Sequence, residues 1–180
     1  MYFVAEATAL AKPDVDSSLE DAVFIAKHAV GLADGVGGWA AKGIDAGAYA
    51  RALMDNAHAR ATMAVDRAGA GGRIEIDPYK LVEYAVNNTK LPGSSTAVVA
   101  TVGTAGTLQL YNVGDSVGMV WRHGAKHAGQ WSLQMRTKVQ SEDGCPEQVM
   151  YQTRSYATVG AKGDAYRFTP CPDDLRTLYR

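Results

Sequence analysis

The chain has 180 residues, of which 47% are hydrophobic and 21% charged, with a formal net charge of −1. That length fits one domain with a sizeable core, and so nearly neutral a balance gives no electrostatic reason to expect nucleic acid or an anionic membrane as partner. Two cysteines, Cys145 and Cys171, make no disulfide framework and fit a reducing compartment, although a single bridge stays open.

In chain order, Met1-Tyr2-Phe3-Val4-Ala5-Glu6 has the pattern of a first strand. It has neither the basic n-region of a secretory signal nor the Arg/Ser-rich character of a transit peptide. A cytoplasmic location is therefore the default expectation, with a mitochondrial or plastid one if a presequence is missing from this chain. No apolar run approaches the roughly 20 residues that a membrane span requires.

Glu20-Asp21 then leads into the apolar run Ala22-Val23-Phe24-Ile25-Ala26. A short turn at Lys27-His28-Ala29 returns the chain as a second run, which ends in Ala33-Asp34-Gly35-Val36-Gly37-Gly38-Trp39. Paired as a hairpin, the two runs carry Glu20, Asp21 and Asp34 to one edge of a sheet. Three carboxylates gathered without matching bases repel one another, and a divalent cation is the usual remedy. The Asp34 carboxylate and the Gly35 carbonyl are hard oxygen donors suited to Mg²⁺ or Mn²⁺. Taken alone, an Asp-Gly turn has an ordinary reading, in which the aspartate caps its own backbone.

Asp45 is placed to cap a helix over residues 46–68, with Tyr49, Leu53, Ala57, Ala61 and Ala64 at helical spacing and a Gly69-Ala70-Gly71-Gly72 stop. A second helix starts at Asp77-Pro78 and carries the stripe Leu81, Val82, Ala85 and Val86. The period then changes. Thr96–Val102, Thr107–Val113 and Val117–Arg122 form an expected antiparallel meander. Strands, then two adjacent helices, then more strands predict an α+β layered domain and not alternating βαβ units. From His123 onward the chain is polar with little periodicity; Met150–Thr158 is a strand candidate.

Other candidates carry ordinary readings. His123-Gly124-Ala125-Lys126-His127 has ligand-like spacing only on a helix, and Gly124 makes a solvated turn the better reading. The two cysteines lack Cys-x-x-Cys spacing, and Trp39, Trp121 and Trp131 fit core or rim positions.

Four ordered segments carry a family resemblance: Leu19-Glu20-Asp21-Ala22, Ala33-Asp34-Gly35-Val36-Gly37-Gly38-Trp39, Gly93-Ser94-Ser95-Thr96-Ala97 and Asn112-Val113-Gly114-Asp115-Ser116. Together they resemble the metal-dependent Ser/Thr phosphatases of protein phosphatase type 2C, in particular the organellar branch that reads Asp-Gly-Val-Gly-Gly-Trp. The resemblance covers roughly the first two thirds of the chain, and four motifs in order are far more specific than one Asp-Gly-x-Gly-Gly.

It implies an α-β-β-α sandwich of two antiparallel sheets flanked by helices. It further implies hydrolysis of phosphomonoesters on a phosphoprotein substrate by a metal-activated water, without a phosphoenzyme. In the implied site the Asp34 carboxylate bridges two Mg²⁺ or Mn²⁺ ions and the Gly35 carbonyl binds the second. Glu20 and Asp21 bind or orient water there, and Asp115 serves a weaker third site. The Gly93-Ser94-Ser95-Thr96 run has a structural counterpart in the family, and no serine nucleophile is expected.

Residues 1–122 accordingly read as a phosphatase-like core and 123–180 as a divergent segment. In that segment the Thr-Asp-Gly-like motif of the family has no match, since Asp143-Gly144 lies outside an apolar strand. Pro172-Asp173-Asp174-Leu175 resembles the family's last motif and would make Asp173 a ligand of the first metal. Phe168-Thr169-Pro170 equally resembles a loop that the organellar branch places soon after its central strands, and on that alignment the fold is incomplete. Such a fragment would expose a sheet edge and an apolar face. Asp16 stands where many members carry an arginine, and Val36 where most carry a histidine. Two functions follow: an active phosphatase, or a catalytically inactive relative acting as a binding or regulatory module.

Overall fold

The computed structural model describes residues 1–9, 19–124, 130–142, 145–150 and 164–168. Two strands, β1 (Asp21–Ile25) and β2 (Ala29–Asp34), form the expected hairpin, in which Asp21 pairs with Asp34 and Ile25 with Val30. The strand β4 (Ala97–Val102) joins the other edge of β2, β5 (Leu108–Val113) pairs with β4, and β11 (Asp164–Phe168) completes a five-stranded antiparallel sheet in the order β1-β2-β4-β5-β11.

Helix α1 (Ala46–Ala68) has the expected bounds. The Asp45 side chain accepts from the Ala48 N–H at its start, and Gly69 ends it in a positive-φ conformation. Helix α2 (Pro78–Asn88) begins where the Asp77 carboxylate accepts from Tyr79 and Lys80. Both helices lie on one face of the sheet, α1 against β1 and β2, α2 against β4 and β5. Strand alternation puts Ala22, Phe24, Ala29, Ala33, Ala97, Val99, Tyr111 and Val113 on that face, where they are buried with Tyr49, Leu53, Leu81 and Val82. The small side chains of β2 let α1 approach the sheet closely. At Gly31 a Cβ would sit 2.3 Å from the Phe24 ring, so the ring lies across the glycine. Tyr79 meets Tyr111 edge to face at 5.3 Å and fixes α2 over β5. The opposite face is also apolar along the hairpin, and there Val23 (44%), Ile25 (43%) and Leu32 (38%) remain exposed.

Three features differ from the sequence expectations. Residues 1–9 form no strand; the Phe3 N–H donates to the Lys27 carbonyl and ties them to the hairpin turn beside an exposed Val4. The third meander strand leaves the sheet. As β6 (Met119–His123) it pairs with β7 (Trp131–Arg136) in a separate ribbon, because β11 occupies the free edge of β5. The remaining strands are very short: β3 (Ser94–Ser95) pairs with β10 (Val149–Met150), and β8 (Ser141–Glu142) with β9 (Cys145–Pro146). Of the strand candidate 150–158 only Met150 is described. His127 and Cys171 also lie outside the described residues.

Leu53 is fully buried at the centre of the α1–sheet contact. Leu53→Ala is expected to lower the unfolding free energy by about 2–5 kcal/mol in a urea titration followed by circular dichroism.

Candidate metal centre

The end of β2 is held on both sides. Toward β1, the Gly35 N–H donates to the Glu20 carbonyl at 3.0 Å. Toward β3 and β4, Val36 N–H donates to the Ser94 carbonyl at 3.0 Å and Thr96 N–H to the Asp34 carbonyl at 2.9 Å. Side chains of the same Ser-Ser-Thr run add two more bonds: the Ser95 hydroxyl donates to the Asp34 carbonyl at 2.8 Å, and the Asp34 N–H donates to Thr96 Oγ1 at 3.2 Å. The motif that resembles a nucleophile run is thus a backbone clamp, with all three side chains buried.

Glycine at 35 is required by close approach. A Cβ there would lie 2.5 Å from the Ala46 carbonyl oxygen and 2.9 Å from the Glu20 carbonyl, both main-chain atoms. The first turn of α1 therefore rests directly on the Asp34-Gly35 turn. Arg51 fastens this junction, donating to the Leu19 carbonyl at 3.0 Å and pairing with Asp45 at 2.9 Å.

Pairing places Asp21 and Asp34 directly opposite one another, so their side chains share the sheet face away from the helices. Opposed carboxylates destabilise such a pair, and a hard cation between them relieves the repulsion. Asp115 stands exposed on the turn between β5 and β6, at the same end of the sheet. That turn is tied to the Asp34 strand through Thr96 Oγ1, which meets Ser116 Oγ at 2.7 Å.

Glu20 stands one residue before Asp21, and its carboxylate lies where a Cβ on Gly37 would come within 2.6 Å of Oε1. The three acids reach one end of the hairpin, Asp21 and Asp34 as an opposed pair and Glu20 with its carboxylate beside Gly37. Among the described residues no group of three or more His, Cys, Asp or Glu side chains is placed to hold an ion. Asp173 lies outside the described residues.

Two opposed carboxylates and a glycine turn shaped by close packing suit the oxygen chemistry of Mg²⁺ or Mn²⁺. They make only part of a two-ion ligand set. Sequence reasoning missed the contacts of Arg51 and Ser116 at this site, and those of Gln140, which accepts from Gly114 N–H, and Gln148, which accepts from the Ser94 hydroxyl; it placed Trp39 as a core or rim aromatic. The aromatic is half-buried, and its indole N–H donates to Ser94 Oγ at 2.7 Å. No spacing rule links residues 55 positions apart, so only the Trp that follows the glycine turn offered a signal.

No protein-family model matches the chain. Among curated proteins it is 46% identical over 107 residues to the probable protein phosphatase 2C 55 of Arabidopsis thaliana, covering 58% of this chain and 21% of that protein. It is 41% identical over 107 residues to the probable protein phosphatase 2C 80 of the same plant, covering 58% of this chain and 24% of that one. The chain thus spans less than a quarter of either relative's length. The X-ray structure of the photosystem II phosphatase PBCP superposes with a TM-score of 0.63 at 24% identity, covering 84% of this chain and 55% of that one. The fold is thus α+β, with helices packed on an antiparallel sheet as in the matching part of that phosphatase; among the described residues both helices lie on one face of one five-stranded sheet. Over the matched stretch the chain is a relative of the protein phosphatase 2C proteins, as its four motifs imply.

Gly35→Ala forces a backbone shift, since neither contacting atom is the end of a flexible side chain. It is expected to cost about 1–3 kcal/mol in chemical denaturation and to weaken Mn²⁺ binding in a calorimetric titration. Gly38→Ala, where a Cβ would meet nothing within 4 Å, should change neither.

Proposed function

We propose that the chain carries the catalytic face of a metal-dependent protein serine/threonine phosphatase. The supporting observation is the Asp21–Asp34 pair, presented by a strand end held on both edges, in a chain whose curated relatives are protein phosphatase 2C proteins. A phosphoprotein is the substrate on this reading, and Mg²⁺ or Mn²⁺ the cofactor.

Asp34 and Asp21 would hold the ion from one face of the sheet, with the Gly35 carbonyl as a main-chain donor and Asp115 available from the neighbouring turn. When bound, the metal supplies a Lewis acid that neutralises phosphoryl charge and makes hydroxide available near neutral pH. The protein orients the Asp34 carboxylate through its main chain, whose N–H and C=O are both hydrogen-bonded to the Ser95-Thr96 segment. Val36 leaves no imidazole on the turn to donate a proton to the leaving oxygen.

The second reading is a catalytically inactive binding or regulatory relative, in which the Asp21–Asp34 pair holds an ion without hydrolysis. Hydrolysis of p-nitrophenyl phosphate separates the two. The phosphatase reading expects turnover with Mn²⁺, abolished by EDTA and reduced at least about 100-fold in Asp34→Ala, as loss of a direct ligand must exceed the usual outer-shell effect. A folded chain that binds Mn²⁺ without turnover would instead establish the inactive relative.

A further inference from the structure

The polar stretch after β7 reaches both acid-bearing turns. Its Gln148 side-chain oxygen accepts a hydrogen bond from the Ser94 hydroxyl at 2.7 Å, and Ser94 Oγ in turn accepts from the Trp39 indole N–H at 2.7 Å. Ser94 also receives Val36 N–H on its carbonyl, so one serine joins the glycine turn, the short 3-10 helix Gly37–Lys42 and the C-terminal stretch. Main-chain pairing of Ser94 with Met150 and of Ser95 with Val149 fixes the stretch beside it.

The Asp115 turn is held from the same side. Gly114 N–H donates to the Gln140 side-chain oxygen at 3.0 Å, while Gln140 N–H returns a bond to the Gly114 carbonyl at 2.9 Å. Glu147 N–H donates to the Gln140 carbonyl at 3.0 Å. A Cβ on Gly114 would lie 2.7 Å from the Glu147 carbonyl, so the main chains are in close contact there. Two neutral amide side chains suit this duty. Each presents an oxygen acceptor without adding a charge to a site that already holds like-charged aspartates.

We propose that Gln148 and Gln140 form a strap that positions the Asp34-Gly35 and Gly114-Asp115 turns relative to one another, with Ser94 and Trp39 as the relay to the first turn. Gln148 and Trp39 are positioning residues: they set where the metal-binding oxygens stand and touch neither ion nor substrate. The strap deepens the metal-site reading and rests on it for metal affinity only; its effect on main-chain order is independent of any ion.

The test measures both. Amide hydrogen exchange at Val36 and Gly114 is followed by NMR in the metal-free chain, and Mn²⁺ affinity by calorimetry, for Gln148→Ala, Trp39→Phe, Gln148→Glu and the exposed control Gln134→Ala, with melting curves for each. Gln148→Ala and Trp39→Phe are expected to speed Val36 exchange at least about 10-fold and to weaken Mn²⁺ binding about 10-fold, the low end for groups that orient a ligand. Gln148→Glu keeps an acceptor for the Ser94 hydroxyl and should restore protection; Gln134→Ala should match the parent chain. Unchanged Val36 exchange in Gln148→Ala would overturn the strap. Faster exchange with unaltered Mn²⁺ affinity would overturn its positioning role. A parent chain without Asp34-dependent Mn²⁺ binding would refute the metal-site reading, and exchange alone would then decide the strap.

Discussion

Everything at the candidate site depends on how the main chain of residues 34–36 is clamped. A strand end normally frays, because its outer N–H and C=O groups lose their partners. Here Gly35 bonds back to Glu20 on one side, while Asp34 and Val36 bond to Thr96, Ser95 and Ser94 on the other. The carboxylate of Asp34 is thereby presented from a backbone with no freedom to relax. The absence of a Cβ at Gly35 permits the same turn to bear the first turn of α1, so the helix layer and the acid-bearing turn are mechanically one unit.

The two faces of the hairpin have different physical tasks, and strand alternation separates them. One face is a dry layer of small residues under α1, built on Ala22, Ala29 and Ala33. The other carries Asp21 and Asp34 at its end and the exposed Val23, Ile25 and Leu32 along its length. A carboxylate pair there stays in contact with water and open to an ion, where burial beneath the helices would impose a severe desolvation cost. Glu20, just before β1, rests with its carboxylate beside Gly37.

Long-range polar contacts then bind the turns into a single face. Thr96 links the Asp34 strand to Ser116, and Arg51 links the start of the hairpin to the cap of α1. The polar stretch after the ribbon, which shows no periodicity, contributes side-chain amides at two points. Its glutamines serve as acceptors for hydroxyl and main-chain donors, a use that leaves no periodic signature.

Local rules sufficed for the hairpin, both helices with their aspartate caps, and the β4–β5 pair. In each case the deciding interactions lie within a few residues: Asp45 with Ala48, Asp77 with Tyr79, and turns closed by glycine. The motif order likewise pointed to Asp34 and Gly35. Tertiary structure alone decided that β6 leaves the meander, since the edge it would occupy is taken by a strand more than 40 residues later. It alone set the Glu20 carboxylate beside Gly37, and it alone turned Ser94, Trp39 and Gln148 into one hydrogen-bonded relay. The physical reason is common to all three. Sequence records local propensity and alternation, whereas competition for a sheet edge and pairing of distant polar groups are settled only when the layers close.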